Sequence, residues 1–238
     1  MTENILPENE RHYCMALKLG YPDIDQGNQS EKRAAFLKAG MWKQGERISI
    51  RFLDGAPDLQ ARVEAVAMEW LKVANLNFEF LIGGHTDIRI SFAAGPGSWS
   101  YIGTGCRQIP EPSATMNYGW LTPASAETEL RRVVLHEFGH AIGLIHEHQN
   151  PTGGIKWNKD AVRHDLSGPP NNWNDATIET NMFKFYKPGE VLATPVDPES
   201  IMLYPIPKAW TLGGFSAGLN GALSETDKTL AREAYPGR

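Results

Sequence analysis

The feature that most constrains this chain is the run HEFGHAIGLIH, which occupies residues 136–146. On a helix, His136 and His140 lie one turn apart on the same face. Gly143 suits a left-handed turn that ends such a helix, and the reversed chain then brings His146 towards the first two imidazoles. Three imidazoles at this spacing match the nitrogen ligands of one tetrahedral zinc ion. The run therefore predicts a metal site made by a helix and the turn that follows it.

Glu137 follows the first histidine but points about 100° away around the helix, which favours contact with water at the metal over ligation. Three neutral histidines leave one zinc position open, and zinc lowers the pKa of water there to about 7. We predict that Glu137 is the general base that takes the water proton and passes it to the leaving amine. The predicted activity is zinc-dependent cleavage of peptide bonds with one catalytic Zn²⁺ ion.

Hydrophobic periodicity predicts a chain that mixes strands and helices. The predicted strands are 48–52, 78–81, 87–92, 99–109 and 114–120. The predicted helices are 30–39, 58–74, 122–142 with Thr122 as N-cap and Pro123 after it, and a C-terminal helix opened by Ser224 and Asp227. Residues 147–222 are rich in Gly, Pro, Asn and Trp, so ordered loops with little regular structure are expected there.

Length and charge narrow the class of protein further. The 238 residues carry a net charge of −5, and a nucleic-acid binder would normally present a basic patch instead. No apolar run approaches the roughly 18 residues of a membrane span. No positively charged stretch followed by an apolar one is visible at the start, so no secretory signal is predicted. The chain is expected to be a monomer without nucleic-acid partners.

The extended histidine motif resembles that of the metzincin metalloproteases. This resemblance implies a methionine-containing turn beneath the metal, and residues 200–204 read Ser-Ile-Met-Leu-Tyr. Met202 matches the Met-turn residue, and Tyr204 matches a tyrosine that donates its hydroxyl in the transition state. Glu147, directly after the third histidine, resembles the astacin branch, in which that glutamate supports the mature N-terminus and the active-site floor.

The resemblance covers about residues 45–238 and is concentrated at 136–151 and 200–204. It implies an α+β zincin fold, with a mixed five-stranded sheet and two long helices in the N-terminal lobe. The C-terminal lobe would be irregular and end in a helix. The implied division is an N-terminal segment, 1–44, and a catalytic domain, 45–238, whose lobes are about 45–146 and 147–238. Family resemblance slightly favours an extracellular location.

Two features depart from the astacin pattern. Residues 148–151 read His-Gln-Asn-Pro where astacins have an Arg- and Asp-rich stretch, and two cysteines cannot form the conserved astacin disulfides. The chain is therefore predicted to be a divergent, astacin-like metzincin.

The resemblance also implies how substrate is held. An extended peptide would lie antiparallel to an edge strand at about Trp99 to Ile109, with backbone hydrogen bonds between them. The pocket beyond the scissile bond would be walled by residues after the Met-turn, at about Pro205 to Trp210.

Three interpretations of the two cysteines, Cys14 and Cys106, stay open. They are free thiols, or one disulfide, or Cys14 is a thiolate in the fourth zinc position that keeps the enzyme latent. Asp23 or Asp25 could fill the latency role instead.

Two rival functions also stay open. One is a zinc amidase with a narrow non-protein or small-peptide substrate. The other is a catalytically silent zinc-fold binding protein, which the presence of Glu137 disfavours because a purely structural site needs no base.

Overall fold

The structure is a computed structural model that describes residues 11–17, 36–95, 97–151, 154–187, 190–192 and 195–238. The strands are β1 (Met15–Leu17), β2 (Phe36–Leu37), β3 (Arg47–Phe52), β4 (Asn77–Phe80), β5 (Ile88–Ser91), β6 (Ser98–Tyr101), β7 (Met116–Tyr118) and β8 (Val191–Leu192). The helices are α1 (Pro57–Ala67), α2 (Glu127–Ala141), α3 (Lys159–Ser167), α4 (Asp175–Ile178) and α5 (Glu225–Ala234).

One main sheet carries the fold, with strand order β1-β6-β7-β5-β3-β4. β6 and β7 are antiparallel and the other neighbouring strands are parallel. Five of these strands correspond to the five predicted ones, so the predicted α+β fold is confirmed. The sixth, β1, was not predicted and comes from the N-terminal segment.

The strand predicted over 99–109 is too long. β6 ends at Tyr101, and Gly103–Gln108 coil into a 3-10 helix. Gly103 has φ +50°, and a Cβ there would lie 1.7 Å from the carbonyl oxygen of Gly40, so the backbone turns where two segments pass in contact. β6 is also not a free edge, because Met15 pairs with Trp99 and Leu17 with Tyr101 in a parallel ladder.

α1 and α2 pack against each other, and α2 also contacts β6. The buried residues of α1 recur at three- and four-residue steps, as an amphipathic helix requires. α1 is shorter than predicted because the chain tightens into a 3-10 helix at Trp70–Lys72, where the buried Trp70 indole donates to the carbonyl of Leu135 at 3.0 Å.

The prediction that α2 starts at Thr122 is wrong. Thr122 instead begins a turn in which its N–H donates to the Ser125 hydroxyl at 2.9 Å, and the helix begins at Glu127. Glu127 and Glu129 in the first turn suit the positive end of the helix dipole.

The predicted helix at 30–39 lies mostly outside the described residues. Its described part is β2 followed by a 3-10 helix at Lys38–Gly40. The C-terminal lobe is largely loops, but it also contains α3 and α4, which the periodicity missed. The predicted capping box of Ser224 and Asp227 at the start of α5 is present. Within the described ranges, no helix has the length and apolarity to cross a bilayer.

Candidate metal and catalytic site

The end of α2 shapes the site. Gly143 adopts φ +108°, which costs little only for glycine, and its N–H donates to the His140 carbonyl at 2.8 Å. The chain reverses there, and His136, His140 and His146 meet with their ligand atoms within 4.8 Å of one another. All three histidines are buried.

The hydrogen bonds of His136 and His140 fix which of their ring nitrogens face the centre. Nδ1 of His136 lies 2.8 Å from the Ile201 carbonyl and Nδ1 of His140 lies 2.9 Å from the Leu144 carbonyl. A carbonyl only accepts, so each Nδ1 carries the proton and each Nε2 is left as a metal ligand. Nε2 of His136 has no hydrogen-bond partner among the described residues.

The spacing of the nitrogens fits zinc. Nε2 of His140 and Nε2 of His146 are 3.1 Å apart, close to the roughly 3.3 Å between two nitrogens of one tetrahedral zinc site. Burial lowers the pKa of His140 to about 4 and lowers those of His136 and His146 well below the ordinary value. Neutral imidazole is the form that binds a metal, so the donor set is ready at neutral pH.

Glu137 is fully buried on the same turn of α2. Neither carboxylate oxygen has a nitrogen or oxygen partner in the described part of the chain. Burial raises the pKa of Glu137 to about 8, against the smaller opposing effects of Cys14 and Arg132. A carboxyl with a raised pKa whose side-chain hydrogen bond is with the Cys14 thiol is able to exchange a proton with a molecule that takes the place of the thiol.

The Met-turn forms the floor of the site. A Cβ on Gly139 of α2 would lie 2.3 Å from Sδ of Met202, so the thioether packs directly against the helix between the histidines. The Met202 carbonyl accepts from the Glu147 N–H at 3.1 Å. Asp227 accepts from the Ser200 hydroxyl at 2.7 Å and the Ile201 N–H at 2.8 Å, which ties the turn to α5.

Tyr204 and Glu147 flank the histidines. The Tyr204 ring centroid is 4.3 Å from that of His146, and its hydroxyl donates to the backbone carbonyl of Cys14. The Glu147 carboxylate is buried and accepts from the Asp197 N–H at 3.3 Å. Burial raises the pKa of Glu147 to about 8.

The N-terminal segment, residues 11–17, lies along this site. Cys14 is buried beside Glu137, and burial, with Glu137 nearby, raises the pKa of its thiol well above the ordinary value. Cys14 is not part of the three-histidine donor cluster. Cys14 and Cys106 are both free thiols in the structure, which contradicts the interpretation that they form one disulfide. The aspartate alternatives, Asp23 and Asp25, lie outside the described residues.

Sequence reasoning missed several contacts that hold this segment. His12 stacks on Trp120 with ring centroids 4.6 Å apart, and the Tyr13 N–H donates to Oδ1 of Asn171 at 3.0 Å. A cavity of about 360 Å³ borders these residues. The sequence offered one signal for these contacts: His12 and Tyr13 directly precede Cys14, which is itself a candidate for a position at the metal site.

His148 is a neighbour of the site rather than a fourth member of the cluster. Its ring stacks 5.3 Å from His146, and Nε2 lies 2.7 Å from the Asn181 carbonyl.

The site combines three histidines from a helix and the turn after it, a buried glutamate on that helix, and a methionine packed beneath them. This combination is typical of the zincin class of metallohydrolases. The sequence matches no family model and no curated protein sequence. Solved structures do match it. A structure of myroilysin is 39% identical, covers 86% of this chain and 100% of its own, and has a TM-score of 0.83. A crystal structure of myroilysin is 35% identical over 98% of this chain and 95% of its own, with a TM-score of 0.67.

A more distant match is high choriolytic enzyme 1, a hatching enzyme zinc-protease from the medaka fish Oryzias latipes. It is 17% identical over 87% of this chain and 100% of its own, with a TM-score of 0.57, and shows the fold alone. The identity to myroilysin over its full length shows the family. This protein belongs to the astacin-like family of metzincin zinc metalloendopeptidases.

Proposed function

We propose that this chain cleaves peptide bonds with a single zinc ion held by His136, His140 and His146, with Glu137 as the general base. The observation that supports this most is the pair of Nε2 atoms of His140 and His146, which face each other at 3.1 Å. The Nδ1–H of His140 donates to the Leu144 carbonyl, so the lone pair of its Nε2 is available to a metal, and His146 and His136 bring their ligand atoms within 4.8 Å of the same centre.

Each residue of the site has a defined part in this mechanism. Zinc, when bound, supplies a Lewis acid that acidifies water and polarises a carbonyl group. Glu137 takes a proton from the attacking water and delivers it to the nitrogen of the leaving amine. The Tyr204 hydroxyl donates a hydrogen bond to the oxygen that gains negative charge in the transition state. The Met202 thioether packs beneath the histidines and excludes water from that side.

The substrate is an extended peptide that pairs with β6. In the structure β1 already occupies this edge of the sheet, through parallel pairing of residues 15–17 with residues 99–101. A peptide that takes the place of β1 gains the same backbone donors and acceptors.

We infer from the same contacts that residues 11–17 keep the enzyme latent. They cover the edge of β6, engage the Tyr204 hydroxyl through the Cys14 carbonyl, and place the Cys14 thiol beside Glu137. When zinc is bound, Cys14 is proposed to be its fourth ligand, which excludes the water that catalysis requires. Residues 1–44 are then a pro-like segment and 45–238 the catalytic domain, and Glu147 supports the N-terminus created by processing.

The test uses the zinc-loaded full chain and an unfolded protein as substrate, with fragments identified by mass. Cleavage is expected to rise at least tenfold after limited proteolysis that removes the proposed pro-like segment, and to stop with a zinc chelator. Glu137→Gln is expected to keep zinc and lose several orders of magnitude in turnover. Absence of cleavage by the processed chain would show that the proposed activity is wrong.

Cys14→Ala tests latency separately. The unprocessed variant is expected to be active without proteolysis, whereas Cys106→Ala, which removes the other buried thiol, is expected to stay latent. If Cys14→Ala is as inactive as the unprocessed wild-type chain, the thiol is not the latency ligand.

A further inference from the structure

The Tyr13 side chain fills an aromatic pocket next to the catalytic groups. It is 4% exposed. Its ring stacks on Trp210 with centroids 5.3 Å apart, meets Tyr204 edge-on at 5.3 Å and meets Trp173 edge-on at 6.4 Å. We call this set of walls, Trp173, Tyr204 and Trp210, the Tyr13 pocket.

The pocket also has a polar end that matches a phenol. The Tyr13 hydroxyl donates to the carbonyl oxygen of Pro205 at 3.1 Å. The Trp210 indole is itself fixed, because its Nε1 donates to Asp165 at 2.6 Å. An aromatic slot with a carbonyl acceptor at its end favours tyrosine over side chains that are smaller or charged.

The backbone at this position is held as a substrate backbone would be. Asn171 accepts from the Tyr13 N–H at 3.0 Å and donates to the Arg11 carbonyl at 2.9 Å. One side-chain amide thus satisfies a donor and an acceptor of an extended segment, independently of the side chains it carries.

The direction in which β1 pairs with β6 indicates where the Tyr13 pocket lies relative to the scissile bond of a substrate. Residues 15–17 run parallel to β6 on one side of Cys14, and Tyr13 lies on the other side. A substrate bound antiparallel to β6 runs in the opposite direction. Its residues before the scissile bond then lie along β6, and the residue directly after the bond reaches the Tyr13 pocket.

We propose that the Tyr13 pocket selects an aromatic side chain, tyrosine first, in the residue directly after the scissile bond. This rests on the proposed endopeptidase function and names its substrate class: extended polypeptides with an aromatic residue at that position. Tyr13 is then a built-in occupant of the specificity pocket, held in the reverse chain direction.

The first experiment compares peptides that differ only in the residue after the cut, using the zinc-loaded full chain after limited proteolysis. The expected order of kcat/KM is Tyr above Phe by about 3- to 10-fold, and Tyr above Ala or Asp by about 100-fold. Trp173→Ala is expected to reduce the Tyr-over-Ala ratio at least fivefold. Trp120→Ala, which removes the neighbouring ring that contacts His12 instead, is the matched control and should keep the ratio.

The second experiment uses the unprocessed chain with Tyr13→Phe, Tyr13→Ala and Tyr13→Asp. Residual activity before processing is expected to increase in that order, since each change weakens the occupant as it weakens a substrate. If the processed chain cleaves unfolded protein but shows equal rates for Tyr, Ala and Asp, this inference alone is wrong. If the processed chain cleaves nothing, the proposed function fails and this inference fails with it.

Discussion

At the scale of single residues, the site depends on which atom of each side chain is left without a partner. Backbone carbonyls accept hydrogen bonds from the Nδ1–H groups of His136 and His140, which leaves the two Nε2 atoms facing the centre. Glu137 is buried without a nitrogen or oxygen partner among the described residues, and the Cys14 thiol lies beside it, so departure of residues 11–17 would leave the carboxyl available to a reacting molecule. These orientations, rather than the residue types alone, turn the motif into a metal site.

Tyr204→Phe separates catalysis from binding in the processed chain. The variant loses the hydroxyl that is proposed to stabilise the transition state but keeps the ring against His146. We expect kcat to fall about 10- to 1000-fold with KM nearly unchanged. Steady-state kinetics on one peptide measure both values. A change in KM alone would mean that the hydroxyl contributes to substrate binding instead.

At the scale of structural elements, the site depends on segments that are distant in sequence. The Met-turn supplies the carbonyl that orients His136, and Asp227 of α5 holds that turn by two hydrogen bonds. Asp227 also accepts from the Ser224 N–H at 2.8 Å as part of the capping box. One buried carboxylate therefore joins the end of the chain to the metal site.

Asp227→Ala is expected to lower the free energy of unfolding by about 2–4 kcal/mol. It removes a helix cap and leaves the buried donors of Ser200 and Ile201 without their acceptor. Urea denaturation of the full chain measures the effect. Glu225→Ala, an exposed change in the same first turn of α5, should change the free energy of unfolding much less. Equal losses for the two variants would show that the Met-turn does not depend on Asp227.

At the scale of the whole molecule, the three histidines contact segments from both halves of the chain, so the metal binding proposed for them would be coupled to folding. α2 and His146 lie before residue 147, while Met202 and the carbonyl of Ile201 that contacts His136 lie after it. A zinc ion that binds the folded chain stabilises it by roughly 4 kcal/mol at a free concentration 1,000 times Kd.

Chelation of the full chain is therefore expected to lower Tm by several degrees and to abolish cleavage by the processed enzyme. Readdition of Zn²⁺ should restore both, whereas Mg²⁺, which prefers oxygen ligands, should restore neither. Differential scanning calorimetry measures Tm. A Tm that is the same with and without zinc would show that the histidines do not bind the ion in the folded chain.

The sequence by itself determined the donor set, because the helical repeat and one glycine turn act over only eleven residues, 136–146. It also predicted the five main strands, whose alternation is local. Helix starts were harder, as Thr122 shows, because a turn and a helix cap use the same residue types.

Only the tertiary structure decided what lies against the site. Three contacts join residues that are 26 to 197 positions apart in the sequence. They are the pairing of β1 with β6, the enclosure of Tyr13 by Trp173, Tyr204 and Trp210, and the hydrogen bonds of Asp227 to the Met-turn. No periodicity connects such residues, since their contacts depend on how packed elements meet. The local motif therefore fixes the chemistry, and the packed fold decides what reaches it.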